Sequence, residues 1–228
     1  MPLQPPVMVR SFGAGFAVVL GLLAAWIIAA ELIRSDMRFF PGNAAEAKTA
    51  AMKQSSAAVA AWIGWPRGEL WTDYAVTANA ALIGDMKDGK LAGASGLDNS
   101  ARGVAETAAT LAPSDARAWL LLAMNAWSES NDDKAAALLK MSYYTSPYSD
   151  DLFPLRIQIA ARSPRTADEE LNSYIEYELG VVVSHKPNLK RSIASAYRAA
   201  SPTGRLFFDR SLAKLDPNYL AELKATKP

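Results

Sequence analysis

The chain has 228 residues, of which 50% are hydrophobic and 21% are charged. This composition excludes disorder throughout and suffices for one domain with a sizeable core. The absence of cysteine excludes a disulfide framework, a thiolate metal site and a cysteine nucleophile. The net charge of +1 is unevenly distributed: residues 31–183 contain 14 Lys and Arg against 20 Asp and Glu, whereas residues 184–215 contain seven basic residues and one acidic residue.

The first predicted element is a membrane-spanning helix. Residues 12–30 form a run of 19 residues without a charge, bounded by Arg10 on one side and by Glu31 and Arg34 on the other. About 20 apolar residues are enough to cross the hydrocarbon core of a bilayer. We therefore predict an N-terminal tail and a single transmembrane helix in residues 1–34.

Two alternatives concern this segment. A cleaved signal peptide is the rival of a retained span, because small residues at Ala29 and Ala30 are suited to cleavage. The orientation is also open, since a short N-terminal tail favours the inside, whereas Arg34, Arg38 and Lys48 oppose that orientation. We expect a retained span in the bacterial inner membrane, with the following domain in the periplasm.

Small residues recur at every fourth position of the predicted span. At helical pitch they form one shallow ridge, on which a second helix can pack closely in lipid. The ridge predicts a homodimer through this helix, although Gly and Ala are also simply common in membrane helices. Its residues are Gly13, Ala17, Gly21, Ala25 and Ala29.

After a linker at residues 35–42, capping residues, glycines and prolines divide the chain into helices. Asn43 followed by Glu46 resembles a capping box, and Asp98 and Asp115 are further candidate caps. Sustained alternation of the β-strand kind is missing, so the fold class is all-α. The predicted helices cover residues 43–63, 69–83, 98–111, 116–128, 149–161, 166–183, 188–200 and 202–215, with a loop at 84–96.

A 34-residue spacing separates Pro113 from Pro147, and this is the period of the tetratricopeptide repeat. The residues between them resemble that repeat, whose second helix would begin at Asp132 and Asp133. The matching positions are Trp119, Leu122, Ala123, Ala126, Ala135 and Pro147.

Half of an earlier repeat is also matched, by Ala101, Ala105, Ala108 and Pro113. The resemblance implies tetratricopeptide-like hairpins over residues 43–148, followed by a C-terminal helical segment at 149–228. It also implies a partner-binding groove on the first helices of the repeats. The alternative is that the C-terminal helices cover this face as core. The groove positions are Arg117, Leu120, Met124, Trp127 and Ser128.

Aromatic residues cluster at two further places. Trp62, Trp65 and Trp71 flank a turn at Pro66 and are interpreted as a clasp between two helices, with an exposed interface patch as the alternative. The segment 39–41, Phe-Phe-Pro, follows the span, where aromatic anchors at the bilayer surface are common.

The C-terminal third carries a predicted cationic surface. Leu189, Ile193 and Tyr197 lie on one side of a helix, whereas Arg191 and Arg198 share another face. Such a surface suits anionic lipid or an acidic polysaccharide, and its alternative role is to neutralise the acidic part of the chain. The candidate residues are Lys190, Arg191, Arg198, Arg205 and Arg210, with Lys186 and Lys214 nearby.

No residue pattern indicates a catalytic site, a cofactor or a metal. His185 is the only histidine, and Ser211 with Lys214 lacks the companion motifs of penicillin-binding enzymes. Glu129 with Ser130 is similar to the catalytic dipeptide of lytic transglycosylases, but the glycine-rich segment of that family is missing.

Two functions remain at this point. The first is a membrane-anchored, non-enzymatic adaptor or scaffold that binds a protein partner of the cell envelope. The alternative is an accessory protein, or an enzyme with a hidden site, in the biosynthesis or export of cell-surface polysaccharide. Nucleic acid is not an expected partner, because a membrane anchor with its domain outside the cytoplasm keeps it away.

Overall fold

The computed structural model describes residues 7–35, 37, 39–87, 99–163 and 168–225. These residues form thirteen α-helices and one short 3-10 helix, with no strand among them, which confirms the all-α prediction. The helices are α1 (Val7–Ile33), α2 (Ala44–Met52), α3 (Gln54–Ile63), α4 (Gly68–Ala78), α5 (Ala80–Lys87), α6 (Asn99–Leu111), α7 (Ala116–Ser128), α8 (Asp132–Thr145), α9 (Phe153–Arg162), α10 (Glu169–His185), α11 (Lys190–Ala199), α12 (Pro202–Leu215) and α13 (Pro217–Ala225), and the 3-10 helix is Pro187–Leu189.

Helix α1 has 27 residues and is therefore about 40 Å long. Its stretch Phe12–Ile33 is long and apolar enough to cross a membrane, and almost all of that surface is exposed. A signal sequence near the N-terminus can meet the same criteria of length and apolar composition. Sequence and structure thus agree on one helix of spanning length.

Two predicted helices are each divided by a local break in the backbone. The helix expected at 43–63 is interrupted at Lys53, and the one expected at 69–83 is interrupted at Asn79. The side chain of Asn79 donates hydrogen bonds to the carbonyls of Ala75 and Ala101, so a tertiary contact favours the break. Residues 84–87, which were predicted to belong to a loop, are helical because α5 continues to Lys87. Residues 88–98 lie outside the described part of the chain.

The Asn43 and Asp115 caps act as the sequence predicts, whereas the candidate cap Asp98 lies outside the described residues. The Asn43 side chain accepts a hydrogen bond from the Glu46 amide at 2.9 Å, and the Glu46 carboxylate accepts one from the Gly42 amide. This is a reciprocal cap of the capping-box kind. Helix α13 was not predicted: Asp216 caps it by accepting a hydrogen bond from the Tyr219 amide.

Alanine-rich surfaces hold the helices of residues 43–145 together. Helices α7 and α8 lie along each other and are joined by a short turn, with Ala123 and Ala135 fully buried. Helix α4 packs in the same way on α6, and α6 packs on α7. Small side chains allow this close approach because their Cβ atoms fit between the residues of the facing helix.

The C-terminal helices continue the same core. Helix α9 is buried along almost its whole length and contacts α5, α7, α8, α11 and α12. One cluster of buried apolar residues extends from Ala30 to Leu223. The core is therefore continuous across the predicted domain boundary at residues 148 and 149.

Gly204 lies where α12 closely approaches the backbone of α9. A Cβ atom at Gly204 would lie 1.9 Å from the carbonyl oxygen of Ala161, which is backbone and cannot move independently. We expect Gly204→Ala to lower the free energy of unfolding by roughly 1–3 kcal/mol, as overpacking does. Denaturant unfolding of the full chain in detergent, followed by circular dichroism, measures this change.

The matched control is Gly103→Ala, also in a helix. Nothing lies within 4 Å of a Cβ atom at Gly103. Alanine is expected to stabilise the protein there by roughly 0.5–1 kcal/mol, because glycine weakens helix interiors. Equal effects of the two substitutions would contradict the packing of α12 on α9.

Candidate functional site at the base of α1

The end of α1 docks into the helical domain. Ala30 is fully buried, and a Cβ atom on Gly64 would lie 3.4 Å from its Cβ atom. The indole Nε1 of Trp26 donates a hydrogen bond to the carbonyl oxygen of Ile63 at 2.6 Å. The last two turns of α1 are therefore part of the same packed unit as α3. We call this region, with the charged residues described next, the α1 junction.

Charged residues close the α1 junction on its polar side. Arg67 forms ion pairs with Glu31 and, at 2.8 Å, with Glu69. Arg34 lies within 3.6 Å of Glu31 as well. These groups are partly exposed, so each pair by itself contributes little to stability.

Asp73 lies at the centre of the α1 junction and is 1% exposed. Its Oδ2 atom is 2.8 Å from Nε of Arg34, and its Oδ1 atom is 3.2 Å from Nη1 of Arg117. Burial raises the pKa of Asp73, and the two guanidinium groups oppose that rise. A buried carboxylate needs such partners, because an unpaired charge in the core is very costly.

Arg117 extends the same network. It also donates to the carbonyl oxygen of Met37 at 3.1 Å and pairs with Asp115 at 2.7 Å. One guanidinium thus joins α4, α7 and the segment that follows α1. Although the repeat resemblance assigns Arg117 to a binding groove, the structure places it in this internal network.

The other predicted groove positions lie inside the protein. Leu120 and Met124 are fully buried, and Ser128 is 4% exposed. Trp127 is half-buried beneath the guanidinium of Arg162, whose Cζ atom is 5.4 Å from the ring centroid. Helices α4, α6, α8 and α9 all pack on α7, so the expectation of an open groove on this face is corrected to a core position.

A second buried ionic network joins the hairpin α7–α8 to the C-terminal helices. Arg156 is fully buried, and its Nη1 atom lies 3.5 Å from Oε1 of Glu178. Tyr143 donates a hydrogen bond to Glu178 at 2.7 Å, and the Arg156 guanidinium stacks 4.3 Å from the Tyr143 ring centroid. Arg156 also donates to the hydroxyl of Ser142 and to the carbonyl oxygen of Ser146. Burial raises the pKa of Glu178 to about 7.

Sequence reasoning missed the partners in both networks. Asp73 and Arg156 are isolated charges in otherwise apolar stretches, with the sequences LWTDYAV and FPLRIQIA. Such a position is a usable signal, since a charge on a buried helix face requires a partner. The sequence alone does not identify Arg34 or Glu178 as those partners, because they are distant along the chain.

Tyrosines on α8, on the segment that follows it and on α10 form a partly exposed surface, which we call the tyrosine patch (Tyr144, Tyr148, Tyr174 and Tyr177). Tyr148 is 70% exposed and its ring centroid is 5.2 Å from that of Tyr177. The centroids of Tyr144 and Tyr174 are 6.0 Å apart. Tyr174 and Tyr177 are three residues apart on α10 and so share a face.

The predicted cationic surface is present in part. Ile193 and Tyr197 are buried and Arg191 and Arg198 are exposed, which confirms the amphipathic character of α11. Neither arginine forms an ion pair with any residue that the structure describes.

The other basic residues of this surface have varied surroundings. Lys186 pairs with Asp150 at 2.7 Å, as internal neutralisation requires, and Lys190 lies 3.7 Å from Asp216. Arg205 stacks on Tyr197 with its Cζ atom 4.7 Å from the ring centroid. Arg210 and Lys214 are exposed.

Arg191 also borders a cleft of about 310 Å³ between α5, α9 and α11. Burial lowers the pKa of Lys87 on its wall. The Gln158 amide donates a hydrogen bond to the hydroxyl of Ser195 at 2.9 Å. Lys87 donates a hydrogen bond to the carbonyl oxygen of Pro41, so Arg191 and the amide and hydroxyl groups of Gln158 and Ser195 are the groups suited to a small anion. Its lining residues are Gly42, Lys87, Pro154, Gln158, Arg191, Ser192 and Ser195.

The small-residue ridge of α1 is exposed except at its last residue. No described atom lies within 4 Å of a Cβ atom built on Gly13 or Gly21. Ala17 and Ala25 are exposed, and only Ala29 is partly covered, beside the buried Ala30. The ridge is thus accessible to a second helix, and pairing through it stays a prediction.

The residues considered for catalysis are not brought together. His185 is exposed at the end of α10, and Glu129 pairs with Arg102 at 3.1 Å. The Ser211 hydroxyl donates to Glu176 at 2.9 Å. Among the described residues, no group of three or more His, Asp or Glu side chains is arranged to hold a metal ion.

Comparisons with known proteins give no relative: no protein-family model, no curated protein and no solved structure matches the chain. The tetratricopeptide resemblance therefore rests on the repeat positions and spacing quoted above.

Asp73→Asn tests the α1 junction. The substitution leaves Arg34 and Arg117 without their shared carboxylate, and loss of one member of a buried ion pair costs about 3 kcal/mol. We expect the free energy of unfolding to fall by that amount in detergent, measured by denaturant titration. Glu106→Gln, which removes an exposed pair with Arg102, is the control and should cost less than about 1 kcal/mol. Similar losses in both variants would contradict the role of Asp73.

Glu178→Gln tests the second network through its pH dependence. The pKa of Glu178 is raised from 4.5 to about 7, so the folded state binds more protons than the unfolded state between these values. The contribution of Glu178 to the free energy of unfolding is largest below pH 4.5. It declines as the pH rises through 7, by roughly 3 kcal/mol in total. We expect the melting temperature of the native chain to fall over this window and that of the variant to fall less. Parallel pH curves would show that Glu178 does not titrate in this way.

Proposed function

We propose that the protein is a membrane-anchored helical adaptor that binds a protein partner of the bacterial cell envelope. The observation that supports this proposal most is the contrast between the exposed stretch of α1 and its docked end. Its stretch Phe12–Ile33 exposes apolar side chains almost throughout, whereas its last two turns are attached to the domain by Trp26 and Ala30, and by Arg34 directly after the helix. An exposed apolar surface of this size is stable in lipid and not in water.

The packing of α1 favours a retained span over a cleaved signal. Cleavage after Ala29 or Ala30 would separate Trp26 from Ile63. Cleavage after Ala30 would also remove a residue that is fully buried in the core. A segment that contributes to the core of the mature fold is unlike a signal peptide, which is discarded. With the domain in the periplasm, the adaptor would face envelope proteins.

The helical pairs α4–α6 and α7–α8 support a tetratricopeptide-like arrangement for the adaptor. Ala123 and Ala135 are buried between α7 and α8, where the repeat has small residues at its helix crossing. Because the face of α7 is covered, the partner requires another surface. We assign this role to the tyrosine patch.

Tyrosine suits a protein interface because its ring offers a large apolar area and its hydroxyl can exchange hydrogen bonds. Tyr148 and Tyr177 are 70% and 56% exposed, and Tyr144 is 48% exposed. The buried network of Tyr143, Arg156 and Glu178 lies directly beneath and holds α8 and α10 in place. The tyrosines on α8 and α10 are therefore held in place, which limits the entropy lost on binding.

A second candidate function is an accessory role with an acidic cell-surface polysaccharide. It is favoured by the cleft that Lys87, Gln158 and Arg191 line, because an acidic sugar presents both carboxylates and hydroxyls. The exposed face of α11 continues from this cleft through Arg198.

Site-specific photocrosslinking in native membranes tests the adaptor. With a photoreactive phenylalanine at Tyr148, we expect one discrete crosslinked protein, in membranes that keep the full-length chain after alkaline washing. Leu206, which is 66% exposed on α12, is the control position and should give no such product. A Tyr177→Ala substitution should reduce the product from position 148, because it removes the neighbouring ring.

Two results would contradict the proposal separately. A soluble chain that begins near Glu31 would show that α1 is a removed signal. A membrane-bound chain that gives the same crosslinking pattern at 148 and 206 would show that the tyrosine patch has no dedicated partner.

A further inference from the structure

A second apolar surface lies beside α1 on the domain itself. Trp62 and Trp65 are 64% and 50% exposed, and Val59 is 47% exposed. Val59 and Trp62 are three residues apart on α3 and so share a face. We call these three residues the tryptophan face. Its exposure is unusual for a domain surface, because large apolar side chains that group together are rare there.

The tryptophan face is held rigidly from below. The rings of Trp62 and Trp65 stack with centroids 5.6 Å apart, and each centroid is 5.4 Å from that of Trp71. Trp71 is 4% exposed, and its indole donates a hydrogen bond to the carbonyl oxygen of Trp65 at 3.1 Å. The clasp that the sequence predicts is present, but two of its three rings remain open to the surroundings.

Two contacts fix the height of this face along α1. Ile63 accepts a hydrogen bond from Trp26, and Arg67 pairs with Glu31. The segment from Ile63 to Arg67 thus runs beside residues 26–31 of α1. Trp62 and Trp65 therefore lie level with the last turn and a half of the apolar helix.

This height corresponds to the boundary of a bilayer that α1 would cross. The uncharged run ends at residue 30, and Glu31, Arg34 and Arg67 supply the first charges beyond it. Tryptophan is enriched at that boundary because its ring is apolar and its N–H group needs a polar partner. Trp26 lies at the same height, and its N–H group has such a polar partner in the carbonyl oxygen of Ile63.

The charges around the tryptophan face suit the same environment. Lys48 on α2 and Lys53 between α2 and α3 are exposed, whereas Arg67 is paired with Glu31 and Glu69. Basic residues next to a membrane are attracted to anionic lipid headgroups.

We infer that the tryptophan face lies in the headgroup region of the bilayer that α1 crosses, so that its partner is lipid. This inference rests on the proposed membrane anchoring. Lipid is the occupant because α1 itself would be surrounded by lipid at the height of Trp26. The domain is then attached to the membrane at two places, and its tilt relative to the bilayer is fixed.

Single-cysteine variants test this directly, because the native chain has no cysteine. A nitroxide label is placed at Val59, at Val19 within α1, and at Leu206 as a matched exposed control, each in the full chain. Val19 and Leu206 are 53% and 66% exposed. The proteins are reconstituted into vesicles of phosphatidylethanolamine and phosphatidylglycerol. Accessibility to oxygen and to a water-soluble nickel complex is then measured by electron paramagnetic resonance.

We expect the ratio of oxygen to nickel accessibility at position 59 to be several-fold higher than at position 206 and lower than at position 19. A water-like value at 59 with a lipid-like value at 19 would overturn the inference while the anchor stands. Protection of position 59 from both reagents would also overturn it, in favour of a protein partner or a second copy. Water-like values at both 19 and 59 would show that α1 does not span, and the proposed function would fail as well.

Discussion

The burial of one carboxylate, Asp73, is the constraint on which the relation between α1 and the domain depends. A charge that is 1% exposed must be neutralised by groups nearby, and the two that do so come from distant parts of the chain. Arg34 follows the end of α1, and Arg117 lies in the first turn of α7. The ion pair between Arg34 and Asp73 therefore holds the base of the apolar helix against the centre of the helical domain. Trp26 and Ala30 add directional and apolar contacts to the same junction.

The same principle recurs on the other side of α7. Arg156 is fully buried in α9 and is held by groups from α8 and α10, including Tyr143 and Glu178. Much of the core between these helices is alanine, whose small side chains allow close packing but specify little about helix orientation. Buried ion pairs contribute little net stability, yet they penalise any arrangement that leaves a charge unpaired. We regard the two networks as the features that select one helix arrangement.

The sequence predicts those features that are encoded over a few residues. The uncharged run of α1, the Asn43 cap and the amphipathic face of α11 are periodic or local patterns, and each is present in the structure. The sequence left two alternatives for Leu120 and Met124, an open groove or a core position. Their repeat positions are compatible with a groove, and only the packing of four other helices on α7 makes them core.

Pairs of side chains that are far apart along the chain could not be predicted from the sequence either. Arg34 and Asp73 are 39 residues apart in the sequence, and Trp26 and Ile63 are 37 residues apart. Neither has a local signature, because the partners of a buried charge or an indole are chosen by the tertiary fold. The exposure of Trp62 and Trp65 above a buried Trp71 is likewise a property of the tertiary packing. A cluster of tryptophans in the sequence is compatible with either a clasp or a surface, and here it is both.

The contacts of the α1 junction imply that α1 and the helical domain form one rigid unit. Double electron–electron resonance between spin labels at Val18 in α1 and Leu206 in α12 tests it most directly, since both side chains are exposed, at 61% and 66%. In lipid nanodiscs the account predicts one narrow distance distribution, which broadens when Asp73 is replaced by alanine. A broad distribution in the native chain, unchanged by that substitution, would show that the domain moves freely relative to α1 and would contradict the account.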